Sequence, residues 1–288
     1  MGRRNKLAVA ALFASLVAAS CGGGEEDDGT RRRLPEPPPQ PVPGTPAKGR
    51  FVDAAVQGLS YTCGAASGLT SVSGEFDFLV GQRCSFGVGG IGLGAATADL
   101  TLTPVALVLG AVDETHPTVN NMARLLLSLV GDGDPGNGIE ITDDVRNALA
   151  GATLNLAATT SAFETAAQAL LSTAMPGRTL IDAVQAAAHL KATLLTRFDG
   201  HYDCGYVGSG SGAITADIDS GVIAGSGTED ESSAAFQVSG ALQSSASVAI
   251  GSSANSGVTF SGTFYASGVG NGTYADSAGS GVWQCVRA

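Results

Sequence analysis

From residue 199 to residue 288 the chain alternates apolar with polar residues and is punctuated by glycine, a pattern that few architectures can satisfy. Ala213-Ile214-Thr215-Ala216-Asp217-Ile218 and Ala246-Ser247-Val248-Ala249-Ile250 have the period of two of half-buried strands. Aromatics recur beside glycine, as in Gly200-His201-Tyr202, Phe260-Ser261-Gly262-Thr263-Phe264, Gly272-Thr273-Tyr274 and Gly281-Val282-Trp283, and proline is absent. Turns at such short intervals predict an antiparallel meander of about seven or eight strands. Closing it into a small barrel, or a sandwich, would remove exposed edges. A membrane barrel would need lipid-facing spans of about ten residues. These strands are shorter and more polar.

Five cysteines constrain the compartment: Cys21, Cys63, Cys84, Cys204 and Cys285. An odd number in an exported chain leaves one thiol for another purpose. The other four suffice for two bridges in an oxidising space. Sequence distance pairs Cys63 with Cys84 and Cys204 with Cys285, each pair within one compositional block. The Cys204–Cys285 bridge would join the first and last strands of the meander.

The N-terminus indicates export. Arg3, Arg4 and Lys6 precede an almost unbroken apolar run from Leu7 to Ala19. That run is shorter than the about 20 residues of a membrane span and suits a signal peptide, residues 1–20. Val17-Ala18-Ala19-Ser20-Cys21 resembles the lipobox of bacterial lipoproteins, with Ala18 where leucine is commonest. The resemblance implies cleavage before Cys21 and lipid attachment to its sulfur. The plainer alternative is ordinary cleavage after Ser20, leaving a free thiol. Gly22 stands where the inner-membrane retention signal has aspartate, so by analogy the expected address is the outer membrane of the cell envelope.

Residues 21–49 read as a tether. Gly22-Gly23-Gly24, the acids Glu25 to Asp28, and Arg31-Arg32-Arg33 lead into a run holding Pro35, Pro37, Pro38, Pro39, Pro41, Pro43 and Pro46. With almost nothing apolar to bury, the expectation is a disordered, partly polyproline stalk.

Residues 50–198 form the next expected unit, short strands followed by helices. Phe76, Phe78 and Val80 alternate with polar residues, and Gly74 and Gly81 mark turns. The series Val56-Gln57-Gly58-Leu59-Ser60-Tyr61, Gly68-Leu69-Thr70 and Gly74-Glu75-Phe76, with Asn121-Met122-Ala123-Arg124-Leu125-Leu126 further on, resembles a β/helical module of bacterial extracytoplasmic lipoproteins. That resemblance implies an address more than an activity. Helix signals place Asn120 or Asn121 as a cap, Thr142 before a short helix, Ser161 with Glu164 as a capping box, and Thr179 with Asp182 as another. Ile181, Val184, Ala188, Leu195 and Phe198 are expected along one buried face. The fold class expected for the whole is α+β.

Candidate chemistry is sparse. Asp132, Asp134 and Asn137, in an acidic glycine turn, could form a weak calcium loop, although the spacing is not that of an EF-hand. Asp and Asn also serve any tight turn. Asp199, His201 and Asp203 share one strand face, a zinc or catalytic pattern or simply a solvated surface. His189 lies in a helix, as a core or surface histidine. No serine sits in a nucleophile elbow, and no glycine run has the lysine of a phosphate loop. The net charge of −11, with Arg287 the one Lys or Arg from residue 199 onward, disfavours nucleic acid as a partner.

These features point to a lipid-anchored protein without a cofactor, calcium aside. Its expected role is non-enzymatic: structural, or binding a glycan, small molecule or protein. The alternatives are a secreted hydrolase whose carboxylates converge only in the fold, and a small-ligand carrier with a hollow barrel.

Overall fold

A computed structural model describes residues 32–131, 134–253 and 257–288; Cys21 and Asp132 lie outside the described residues. The class is α+β. Eight strands close the C-terminal barrel: β10 (Gly200–Gly208), β11 (Ser211–Asp219), β12 (Val222–Glu229), β13 (Ala235–Leu242), β14 (Ser247–Ser253), β15 (Thr259–Phe264), β16 (Val269–Ala275) and β17 (Ser280–Arg287). Each pairs antiparallel with its sequence neighbours, and β17 returns to β10. The Cys204–Cys285 bridge staples that closing seam, where the two residues are direct cross-strand partners.

The recurring glycine–aromatic pairing in the sequence has a packing cause. Tyr206 stands opposite Gly212, Phe236 opposite Gly227, Phe264 opposite Gly270, Tyr274 opposite Gly281 and Trp283 opposite Gly272. A Cβ at Gly227 would lie 2.4 Å from the Phe236 ring, and one at Gly281 would lie 2.4 Å from the Tyr274 ring. An eight-stranded barrel has an interior only just wide enough for its side chains. Large rings fit because their partners have none. The outer wall carries His201, Asp203, Thr215, Asp217 and Asp219, all polar, which no lipid-facing wall tolerates well.

The preceding module contains β1 (Pro46–Phe51), β2 (Val56–Gln57), β3 (Ser60–Cys63), β4 (Ala66–Leu69), β5 (Glu75–Leu79), β6 (Arg83–Val88), β7 (Ile91–Thr97) and β8 (Thr101–Leu102), then β9 (Ile139–Glu140) among helices. One sheet runs β5-β1-β8, with β1 and β8 parallel; a second runs β4-β3-β6-β7; β2 pairs with β9. Cys63 and Cys84 are cross-strand partners and form the second bridge. The helices are α1 (Pro117–Ser128), α2 (Asp143–Ala148), α3 (Thr160–Ala174) and α4 (Ala183–Thr196). Phe51, Phe76 and Phe86 share a core with Met122, Leu126, Phe163 and Leu190. No helix among the described residues is long and apolar enough to cross a membrane.

Several helix starts differ from the sequence expectation. α1 begins at Pro117 because the His116 ring accepts from Thr118 N–H, so Asn120 and Asn121 lie inside the helix. Proline suits a first helical turn, whose N–H groups have no partner anyway. The cap of α4 is Asp182 itself, which accepts from Val184 and Gln185 N–H. Ser161 and Glu164 fall within α3, and Glu164 reaches instead to Arg124. The buried stripe of α4 is Ala186, Leu190 and Leu194; Val184 is exposed. Phe198 is buried as expected, whereas Val184 and Ala188 stand two positions from the buried Ala186 and Leu190. Thr142 does cap α2.

The stretch expected as tether is also partly built in. Strand β1 begins at Pro46, inside it. Ahead of β1, residues 32–45 form an extended strap beside the barrel. Arg32 grips Asp230 through two guanidinium nitrogens, at 2.6 to 3.0 Å, and the Gln284 amide donates to Pro35 O. Leu34 and Pro35 approach the backbone at Gly205, where a side chain would crowd them. Proline fixes φ, so laying this segment down sacrifices less chain entropy than ordinary sequence would.

Candidate functional site

The barrel interior is filled. Its residual void is about 50 Å³, lined by apolar side chains such as Ile214, Val238, Phe264 and Trp283. A cavity that holds benzene is about 150 Å³. This core therefore has no room for a carried ligand of even that size.

The two barrel ends differ. At the end joined to the module, Arg287 donates to Arg197 O at 2.8 Å and lies over the Tyr202 ring, while Tyr202 donates to Phe198 O. The opposite mouth holds a hollow of about 220 Å³ over Tyr206, Phe236 and Phe260, with Glu229 and Asp276 on its rim. Burial and the nearby Glu229 push the Tyr206 phenol up to about 12. The rim carboxylates have turn duties: Asp276 accepts from Ala278 and Gly279 N–H at 2.8 Å, and Glu229 accepts from Ser232.

A more spacious recess lies elsewhere. Where strap, module and barrel meet, a cleft of about 540 Å³ lies between Pro37 to Pro41, Asp99 to Thr101, and the β15–β16 turn. Its module wall is set by the close approach of Asp99 O to Gly49 and by Arg50 N–H donating to Leu100 O. Its barrel wall is a tight turn. Tyr265 N–H donates to Val269 O, Gly268 N–H donates to Tyr265 O, and Gly268 adopts φ +83°, a conformation glycine enters without penalty. Arg287 N–H then ties Gly268 O to the last strand. Tyr265 and Leu100, 48% and 58% exposed, present apolar surface into this recess beside Asn271 and Gln40.

The candidate residues read from sequence are dispersed. His201 and Asp203 lie on the outer wall, His201 Nδ1 2.8 Å from Asp217, and their strand neighbours Tyr202 and Cys204 face inward. The Asp134 carboxylate caps the short turn Pro135–Asn137 through Gly136 N–H. Asp134 and Asn137 thus share one turn, while the third proposed calcium ligand, Asp132, is outside the described residues. Among the described residues no cluster of three or more His, Cys, Asp or Glu could hold a metal ion.

Two acids without any sequence motif, Asp53 and Glu114, are buried. Asp53 is fully buried at the end of β1, neither carboxyl oxygen has a hydrogen-bond partner, and burial pushes its carboxyl up to about 8. His189 Nε2 on α4 lies 3.6 Å away. Burial lowers the His189 pKa, partly opposed by the Asp53 main-chain carbonyl. Both shifts favour neutral groups, so this contact is dipolar rather than an ion pair. Asp53 lines neither the barrel void, the hollow at the barrel mouth nor the junction cleft. The available sign was an acid amid Phe51-Val52 and Ala54-Ala55-Val56. Tyr265 and Asn271 gave no sign, because strand-end residues from distant segments converge only in the fold.

Against known proteins, no family model, curated sequence or solved structure matches this chain.

Proposed function

We propose that this chain is a lipid-anchored protein of the bacterial cell envelope with a non-enzymatic binding role, exercised at the junction cleft. The cleft carries the reading: it is roomy, partly apolar and edged by polar groups, beside a barrel whose interior is full. Ligand sites favour such unit junctions. Two bridges suit an oxidising compartment, and they leave Cys21 as the thiol available for acylation. A single chain is only a marginal anchor, so the diacyl form implied by the lipobox matters. The polar outer wall of the barrel fits a folded part held off the bilayer rather than within it.

Expression of the complete chain in a Gram-negative host tests the anchor. Mass spectrometry of the membrane fraction should show a chain beginning at Cys21 and carrying diacylglycerol. The Cys21→Ser variant should lose that mass and leave the detergent phase. An intact Met1 start, or an unmodified thiol at residue 21, would overturn the reading.

A further inference from the structure

Resting on the binding role above, we propose that the junction cleft takes a neutral oligosaccharide, stacked on Tyr265 and hydrogen-bonded by Asn271, Gln40 and Thr101. The volume of about 540 Å³ lies within the range of small-molecule sites and accommodates about two or three sugar rings. A pyranose has an apolar C–H face and an equator of hydroxyls, and the cleft offers a counterpart to each. The apolar surface is the exposed Tyr265 ring with Leu100 beside it. Because the Tyr265 turn is pinned at both ends, little order remains to be imposed on binding.

Hydroxyls both donate and accept, and so do amides and hydroxyl side chains. Among the described residues, no hydrogen bond occupies the side chains of Asn271, Gln40 or Thr101, whereas the Gln284 amide is already engaged by Pro35 O. Charge narrows the ligand class further. The lining has one carboxylate, Asp99, already accepting from Leu100 N–H, and no Lys, Arg or His. An anionic glycan, phosphate or nucleotide would enter without a countercharge, in a protein of net charge −11. A basic peptide would find a single acid. A neutral polyol suits the lining best.

Calorimetric titration of the full chain with cellotetraose, maltotetraose, chitotetraose and mannotetraose, and with a sulfated heparin tetrasaccharide as control, tests this. At least one neutral tetrasaccharide should bind with a Kd of about 10 μM to 1 mM, and the sulfated one should give no heat. Tyr265→Ala should weaken binding by about tenfold or more, Tyr265→Phe by less than about threefold, and Asn271→Ala by about threefold to tenfold. These side chains are exposed, so thermal unfolding should not change. Silence from all four neutral sugars at about 5 mM, or undiminished binding in both alanine variants, would overturn the proposal. Acylation of Cys21 is scored separately by mass. Failure of the sugar assignment with Cys21 acylated is therefore distinct from failure of the anchor.

Discussion

In the barrel every strand pairs with its neighbours in sequence, and carboxylates stay on the outer wall or at the turns. In the module, β1 pairs in parallel with the distant β8, and the core closes over Asp53, Arg124 and Asn121. Among the described residues, all the buried polar side chains but Ser244 belong to the module. Arg124 is compensated at two of its three nitrogens: Nε donates to Ile181 O and Nη2 meets Glu164, while the guanidinium lies over Phe163 and Nη1 has no partner. Asp53 has no such set. The contrast teaches that a closed meander can keep its charged groups outside, whereas a mixed module joined by long crossovers retains polar groups where elements meet.

The bridges test that difference most strongly. Cys204 and Cys285 are separated by 81 residues and Cys63 and Cys84 by 21. On chain entropy alone, the barrel bridge contributes about 4.5 kcal/mol and the module bridge about 3 kcal/mol. The Cys204→Ala/Cys285→Ala double variant should therefore lose more in urea unfolding than Cys63→Ala/Cys84→Ala. Equal losses would mean that neighbour-to-neighbour pairing already closes the barrel seam without its staple.

A smaller effect separates the two cores by pH. Asp53 ionises at about 8 when folded, against an ordinary value of 3.8. Between those values the unfolded chain releases a proton that the folded chain retains. Stability from this site is thus full below about pH 4, declines by up to about 1.4 kcal/mol per pH unit, and levels off above about pH 8. Asp53→Asn should remove that decline and gain a few kcal/mol on wild type between pH 5 and pH 9. The lowered His189 pKa acts with the opposite slope, removing stability as pH falls below about 6.5. His189→Gln isolates it. Parallel wild-type and Asp53→Asn curves would show that water reaches the carboxyl.

Legibility in the sequence follows the same divide. The barrel could be read because its signals are local: Ile214, Ala216 and Ile218 alternate inward, and glycine marks turns such as those at Gly221 and Gly268, though not those at 230–234 and 243–246. Both bridges could be paired because each lies within one block. Helix phase in α4 is not legible, because alanine is too uniform there to mark a face, and Ala186 rather than Val184 is buried. The strap is not legible as packed chain, because proline-rich composition reports what a segment cannot bury, not what it can lie against. The junction cleft could not be read at all, since Gln40, Thr101, Tyr265 and Asn271 come from three separate segments.

The smallest expected effect lies on the barrel's outer wall and completes the comparison. His201 and Asp217 are in contact at 2.8 Å, a pair that in isolation suggests a catalytic or metal group. Their side chains are 50% and 72% exposed, so water and salt screen the attraction, and pairing gains little over hydration. Asp217→Asn should change stability by less than about 0.5 kcal/mol. Urea unfolding checks this against the same acid-to-amide change at Asp53, whose carboxyl is fully buried. The chemistry of the two substitutions is identical, and only the surroundings differ. A loss of several kcal/mol in Asp217→Asn would mean that this wall is covered in solution, because only a pair withdrawn from water is so costly to break.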